Sequence, residues 1–392
     1  MKFWFGRKAG RQGGARPFLF RWGGGGASVG EWPRSYEAQV REGYVSNPVA
    51  QRAVRMVAEC VAWAPVYAVP GEGPPPPHFV RSPSPFRGGA LVSPVLLETV
   101  ASQLLLHGNA YLQVLLDTEG FPAELFPLRP ERVRVEADAS GWPVAYLYRA
   151  GEAKSRVLAR DGLGRPGVLH LKAMHPLDDH YGLGCLGAAA GAIAVHNAAA
   201  RWNKALLDNA ARPSGALVFD GGKDGGTLSA VQFDRLRDEI EAQFSGSDNA
   251  GRPMLLEGGM TWQAMSMTPA DMDFAGLKAG AAREIALAFG VPPMLLGLPG
   301  DSTYANYREA NRALWRLTVL PLAERILSAV SGGLSAWWPG VKLAVDVDQV
   351  TALSEDRERL WAQVSAAEFL SEGEKREMLG FPVAPEASGA AD

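Results

Sequence analysis

The stretch Asp271–Ile326 decides how this chain is read: DMDFAGLKAGAAREIALAFG (271–290), VPPMLLGLPGDSTY (291–304) and ANYREANRALWRLTVLPLAERI (305–326). Its first part sets Phe274, Leu277, Ala281, Ile285 and Phe289 at steps of three or four, the spacing of one apolar helix face. Gly290 offers a left-handed cap, and Pro292 and Pro293 cannot continue the hydrogen-bond ladder, so the helix must stop abruptly. A second periodic stretch starts near Ser302 or Thr303, either of which can cap it, and sets Tyr307, Ala310, Leu314 and Leu317 on one face. Pro321 is expected to kink or break that helix. The loop between them, Leu298 to Asp301, is rich in Gly and Pro. Periodicity alone makes the stretch a helical hairpin.

Working outward, the 392 residues suffice for two or three cores, or for one elongated subunit of several modules. Hydrophobic residues make up 47% and charged ones 21%, which excludes a chain disordered throughout. The net charge of −3 argues against a protein that coats DNA by neutralising its phosphates, though not against one past which DNA slides. Cys60 and Cys185, both in apolar surroundings, point to a reducing compartment without disulfides. The start, MKFWFGRKAG, lacks the apolar core of a signal peptide, and the run Leu183–Val195 is too short to span a bilayer. These features are those of a cytoplasmic, soluble chain.

Residues 1–34 interleave basic residues with a glycine run and aromatics, the composition of a disordered basic arm; its other reading is an arm that grips a partner or DNA when assembled. Order is expected from Asn47, a good helix cap followed by Pro48, with Val49, Ala53, Val57 and Val61 on one face. After Pro65 comes a short strand, VYAV, and then a proline-rich excursion from Pro70 to Pro85. A second helix runs from Ser93-Pro94 to His107-Gly108. Strands and turns then alternate through GNAYLQVLLDTEGFPAELFPLRPERVRV, Trp142–Tyr148 and Gly167–Leu171. An Ala-rich helix, Leu186–Ala211, carries Ile193, Trp202, Leu206 and Leu207 and suits close lateral packing. Residues 216–262 form a small α+β insert: ALVFD, the turn GGKDGG, a charged helix Ser229–Phe244, and strands PMLLE and TWQAM. The tail holds one strand, VKLAVDV, and two short helices, Ser354–Val364 and Ser371–Leu379. Trp337-Trp338-Pro339 reads as a packed corner, and Glu355 to Arg359 as a solvated helix face.

A search for an active site finds no phosphate loop, no GxSxG elbow and no CxxC. The one cluster with metal-ligating chemistry is His170, His175, Asp178, Asp179 and His180. His170 falls on a strand and the others in the loop after it, interrupted by Pro176, a spacing that favours a polar surface loop over a metal site.

Four groups of residues together resemble the signatures of tailed-phage portal proteins, in the branch of long-tailed phages. The first is Val291, Pro292, Pro293, Gly297, Ser302, Thr303, Tyr304, Asn306, Thr318 and Pro321. The second is Gly108-Asn109-Ala110-Tyr111, followed by Gly120, Pro122, Leu125, Pro127-Leu128, Pro130, Val133 and Val135. Val168-Leu169-His170 is the third, and NAARPSG (209–215) the fourth. At Gly182–Leu186, Cys185 stands where the family has Ser, and the family's following Pro is absent.

The resemblance implies an α+β, elongated multi-module subunit that assembles into a ring, usually a dodecamer, at one capsid vertex. It implies these regions: basic arm 1–34, α+β wing 35–185, stem helix 186–212, clip 213–267, second stem helix 268–293, tunnel loop 294–305, long wing helix and strand 306–352, and crown helices with a disordered tail 353–392. By the same resemblance, double-stranded DNA passes non-specifically along the tunnel loop (Leu298, Gly300, Asp301, Ser302, Thr303, Tyr304). The clip (Asp220, Gly221, Lys223, Asp224, Gly225) meets the large terminase subunit and the head-tail adaptor, and the ring sits among the major capsid protein. No enzyme activity, cofactor, metal or membrane is implied. Chain length and a Gly-, Ala- and Arg-rich composition also suit a phage-derived gene transfer agent. The alternatives are a metal-dependent hydrolase built on His170–His180 and a structural ring without DNA passage.

Overall fold

The computed structural model describes residues 35–69, 91–208, 215–219, 260–264, 274–298 and 304–379, with single positions between 229 and 238. The basic arm, the proline-rich excursion, GGKDGG, most of the Ser229–Phe244 helix, PMLLE and the chain end lie outside the described residues.

In chain order the elements are α1 (Tyr36–Val40), which runs into a π turn (Arg41–Val45), α2 (Pro48–Trp63), β1 (Val66–Val69) and α3 (Pro94–Leu106). Then follow β2 (Asn109–Leu116), β3 (Pro122–Leu128), β4 (Val133–Ala137), β5 (Pro143–Ala150), β6 (Ala153–Leu158) and β7 (Val168–Lys172). Next come α4 (Cys185–Ala188), α5 (Ala190–Asp208), β8 (Gly215–Phe219), β9 (Met260–Ala264) and α6 (Phe274–Ala288). The chain continues with α7 (Tyr304–Leu314), a π turn (Trp315–Val319), α8 (Leu320–Leu334), β10 (Lys342–Val345), α9 (Ser354–Ala366) and α10 (Glu372–Met378).

The chain folds as two compact units. The larger contains Arg52–Leu186 and everything from Phe289 onward; the smaller contains Gly30–Gln51 and Gly187–Ala288. In the larger unit β3-β2-β7 and β4-β5-β6 form two antiparallel sheets. Tyr111, Leu128 and Val168 of the first pack with Val133 and Tyr146 of the second into one buried cluster. Helix α3, capped by Ser93 and opened by Pro94, lays Leu97, Val100, Ala101 and Leu104 inward beside β2 and β3. β1 pairs with β10, which joins the start and end of this unit. Trp337 is a packed corner: its Nε1 donates to Gly120 O at 2.9 Å, and the Arg165 guanidinium lies over its ring.

In the smaller unit α5 and α6 pack side by side through Ala192, Ile193 and Ala199 on one and Ala281, Ala282, Ile285 and Ala286 on the other. Alanine at so many contact positions lets the helix backbones approach closely. β8 and β9 pair antiparallel from Gly215↔Ala264 to Phe219↔Met260, closing the base of the insert. Asn47 is fully buried; its Oδ1 accepts from Val49 N and Ala50 N at 3.1 and 3.0 Å, and its Nδ2 reaches His196 Nδ1 at 3.2 Å and Asn197 Oδ1 at 2.9 Å. Asn197 in turn donates to Glu42 O.

Five expectations are corrected. Order begins before Asn47, with α1 and its π turn, where Ser35 supplies the cap. The Ala-rich helix starts at Cys185 and is interrupted at Ala189. β6 is an additional strand that the sequence pattern does not reveal, because AKSRVL alternates weakly and lies almost wholly exposed. Leu277 is exposed, since the packed stripe of α6 begins only at Ala281.

The fifth concerns Pro321, which does not break the helix. The preceding π turn, in which Leu320 N donates to Trp315 O, absorbs the residue lacking an N–H, and the chain stays helical from Tyr304 to Leu334. The extra residue also changes the phase: the buried stripe runs Ala310, Leu314, Val319, Ala323 and Ile326, a step of five at the turn. Leu317, placed inside by an unbroken 3.6-residue period, is instead 77% exposed, and Tyr307 is exposed as well. By length and composition Asn306–Leu334 could cross a membrane, but Ile326, Leu327, Val330 and Leu334 are buried within their own unit, as in a core helix.

Replacing Asn47 by Ala removes a helix cap and strands two buried side chains, a loss of roughly 3 kcal/mol. Asn47→Ser, which keeps the cap but not the reach to His196 and Asn197, should recover about 1 kcal/mol of it in urea denaturation.

Candidate functional site

Three of the four groups of signature residues can be placed in whole or in part; of the fourth, NAARPSG, only Gly215, the first residue of β8, is among the described residues. Gly108 follows α3 with φ +81°, a conformation that disfavours any side chain, and a Cβ there would overlap the main chain of Leu183 and Gly184. Gly182 and Gly184 are equally confined, against Gly108 O and Leu106 O. Two main-chain segments thus cross in direct contact. Asn109, fully buried, bonds across the crossing: Nδ2 donates to Gly182 O (3.2 Å) and lies 3.1 Å from His107 Nδ1, while Oδ1 accepts from Gly182 N (2.7 Å) and lies 3.1 Å from His170 Nε2. These contacts require a neutral His107 accepting at Nδ1 and a His170 donating from Nε2. Tyr111 stacks on the His170 ring at 4.3 Å, and Tyr146 meets both rings edge-on. Burial lowers His107 to about 4 and, helped by Lys172, His180 and His107, His170 to about 3.

The histidine cluster therefore does not assemble into a metal centre. His170 is committed to Asn109, His175 Nδ1 accepts from Leu177 N, and Asp178 Oδ1 accepts from His180 N and Tyr181 N. Among the described residues no three His, Cys, Asp or Glu side chains converge on one point.

The signature around Pro292 builds the base of a loop. Gly290 ends α6 with φ +67°, and Thr318 of the π turn donates from Oγ1 to Gly290 O at 2.7 Å. A Cβ on Gly290 would press on the same Thr318 hydroxyl at 2.8 Å. Val291 is buried; Pro292 is extended and leads into a 3-10 turn, Pro293–Leu296, closed by Gly297 in the left-handed region. The loop expected over 294–305 is thus partly structured. Leu298 follows the turn, Gly300, Asp301, Ser302 and Thr303 lie outside the described residues, and Tyr304 opens α7 rather than belonging to a loop. Asn306 lies in the first turn of α7, and Pro321 follows the π turn. Asp220, Gly221, Lys223, Asp224 and Gly225 lie outside the described residues, between the paired strands β8 and β9.

Sequence reasoning missed a second tie on the long helix. Arg312, only 15% exposed, pairs with Glu309 (2.8 Å), Glu355 (2.9 Å) and Asp356 (3.3 Å), and Arg308 with Glu355 (2.7 Å). Arg357 pairs with Asp348 and donates to Leu379 O. Of the residues 355–359, read from sequence as a solvated face, Glu355, Glu358 and Arg359 are exposed while Asp356 and Arg357 are half-buried, and Glu355 is tied to Arg308 and Arg312; charge spacing within α9 carries no sign of partners more than forty residues away.

Asn109→Ala should destabilise the larger unit by about 3 kcal/mol, because Gly182 and His170 are left buried without partners. In the parent, both histidines are depressed below their unfolded value of 6.5, so their contribution is complete above that pH. It falls as pH drops from 6.5 to about 4 for His107 and to about 3 for His170, at up to about 1.4 kcal/mol per pH unit for each. Urea denaturation at pH 7.5, 6 and 5 measures this slope, and His170→Gln should flatten it.

Comparison with known proteins agrees with the geometry. The family model described as phage portal protein matches residues 48–380. A chain from the virion of a native gene transfer agent particle is 46% identical, covering 92% of this chain and 97% of its own, with a TM-score of 0.65. A chain from the neck of that kind of particle, computed with C12 symmetry, is also 46% identical, covers 90% and 95%, and has a TM-score of 0.65. An uncharacterized protein of Rickettsia felis is 42% identical over 87% of this chain and 88% of its own. With signatures of both halves in place and the match running nearly end to end, the chain belongs to the phage portal protein family.

Proposed function

We propose that twelve copies of this chain close into a ring at one vertex of a phage-like or gene-transfer-agent particle, and that double-stranded DNA passes through the ring during packaging and delivery. The observation that carries this reading is the nearly end-to-end likeness to a chain of a particle neck whose structure was computed with C12 symmetry. The chain is an assembly component, not an enzyme. Its location is the capsid vertex, with the major capsid protein around it.

Two features of the chain support the reading. Met174, Leu177, Leu287 and Leu317 are each three-quarters exposed or more, apolar surface of the kind that a neighbouring copy covers in a closed heterologous ring. A channel must not hold its cargo tightly, and a net charge of −3 provides no general attraction for phosphates.

Within the ring, residues 35–185 form the wing, 186–212 and 268–293 the two stem helices, 213–267 the clip, 294–305 the tunnel loop, 306–352 the long wing helix and strand, and 353–392 the crown. The clip projects from the antiparallel base made by β8 and β9. It meets the large terminase subunit during packaging and the head-tail adaptor afterwards. The tunnel loop leaves a firm base at Gly290–Gly297, carries Leu298, Gly300, Asp301, Ser302 and Thr303 toward the DNA, and ends where Tyr304 opens α7. No Lys or Arg lies between Arg283 and Arg308, so its contacts with DNA are steric and weak.

Negative-stain imaging and mass measurement of the purified chain should show closed rings; a strict monomer at high concentration, with no ring in any particle, defeats the reading. The channel map is tested separately. Asp301→Lys with Ser302→Lys adds two phosphate contacts and should slow DNA passage at low salt and less at high salt, with ring assembly unchanged. DNA packaged or delivered per particle at two salt concentrations is the measurement, and parental behaviour at low salt removes this loop from the channel.

A further inference from the structure

The outer face of the sheet β4-β5-β6 is cationic. Its inner face carries Val133, Val135, Tyr146, Tyr148 and Val157 into the cluster shared with the other sheet. Side chains alternate along a strand, and residues paired across neighbouring strands point the same way, so register fixes what the opposite face holds. There Arg134 pairs with Leu147 and Leu147 with Arg156, and Arg149 pairs with Lys154 in the next row. All four cations are exposed. Rows on one face lie about 7 Å apart along the strands, and neighbouring strands about 4.8 Å apart, so the four charges rise from a patch of roughly 10 by 7 Å.

The fold does not balance these charges. Glu136 is the one carboxylate within the three strands, and both its oxygens accept from Arg156, at 2.8 and 3.0 Å. Among the described residues no carboxylate pairs with Arg134, Arg149 or Lys154. Arg149 and Lys154 stand directly opposite each other, a like-charge placement that weakens a sheet. Charge on an edge strand guards it against stray pairing, which accounts for Lys154 on β6. It does not account for Arg149 on the central strand β5, or for the excess of one sign across the sheet.

We propose that this face holds duplex DNA by its phosphates, without reading the sequence. The proposal rests on the reading that DNA passes through a ring of this chain, which makes the duplex the anion at hand. A soluble protein's surface intersperses both signs of charge. The duplex presents one negative charge per about 1.7 Å of its axis and no positive one. Cations with no carboxylate left over fit the second surface and not the first. The chain's net charge of −3 does not oppose this, because phosphates respond to charges within about one Debye length, roughly 8 Å at physiological salt. Contacts to phosphates alone carry no register, so a duplex held here remains able to slide along its own axis.

The test uses the full chain and a short mixed-sequence duplex. Lysine acetylation read by mass spectrometry localises the contact: at low salt the duplex should slow modification of Lys154 at least fivefold and leave Lys375 on α10 unchanged, and high salt should remove the protection. Affinity measured against salt should lose about two to three units of log–log slope in the triple variant Arg134→Gln, Arg149→Gln, Lys154→Gln, at about 0.9 for each phosphate contact. Glu136→Gln, which frees Arg156, should bind more tightly than the parent, with a slope steeper by about one. A variant that merely misfolds cannot show that gain. Unchanged modification of Lys154 in the presence of the duplex overturns the proposal, as does equal affinity and slope in parent and triple variant. Protection of Lys154 by polyglutamate but not by the duplex also overturns it, because the partner is then an acidic protein. Ring formation is scored separately by imaging, so failure of the ring and failure of this face are distinct results.

Discussion

Two stretches of main chain, Leu106–Asn109 and Gly182–Gly184, cross so closely that neither has room for a side chain at Gly108, Gly182 or Gly184. A crossing this tight buries peptide groups that water cannot reach, and buried peptide groups must find partners inside the protein. The Asn109 carboxamide meets that demand, bonding Gly182 through both its donor and its acceptor. His107, His170 and Tyr111 pack against it, and through His170 the crossing reaches the cluster that joins the two sheets. The residues of the second signature are thus a structural requirement of the larger unit. The polar atoms of Asn109 are taken up by Gly182, His107 and His170.

The first signature has the same character. Gly290 and Thr318 lie 28 residues apart, yet the hydroxyl of one holds the carbonyl of the other. Gly290 must take a positive φ, Pro292 and Pro293 forbid further helix, and Gly297 turns the chain again. Each of these positions shapes how the chain leaves α6 and enters the 3-10 turn.

Much of this was legible in the sequence, for identifiable reasons. Caps, prolines and alternation are local, so Asn47, Ser93-Pro94, Gly290 and the strands β2, β3 and β7 could be read directly. What could not be read depends on distant partners or on a change of period. Asn47 announces itself as a cap, but nothing in its neighbourhood names His196 and Asn197 as the other half of its bonds. Arg312 shows no sign of Glu355 and Asp356. His170 to His180 resembles a ligand set because sequence proximity cannot show that His170 turns inward to Asn109 while His175 stays with its own loop. The stripe on the long helix is misplaced beyond Leu314 because a fixed 3.6-residue step has no provision for a π turn.

That turn sets how the protein tolerates length changes. A residue in an α-helix subtends about 100° around the axis. Excision of one residue between Trp315 and Val319 can be absorbed by tightening the turn to ordinary α-geometry, without cutting the helix in two. The consequence is a twist: α7, from Tyr304 to Leu314, would swing by more than a quarter circle relative to α8. Arg308 and Arg312 would swing off Glu355, and the loop that enters at Tyr304 would be re-aimed. The direction in which that loop emerges is therefore stored as a residue count, in five positions well away from the loop itself.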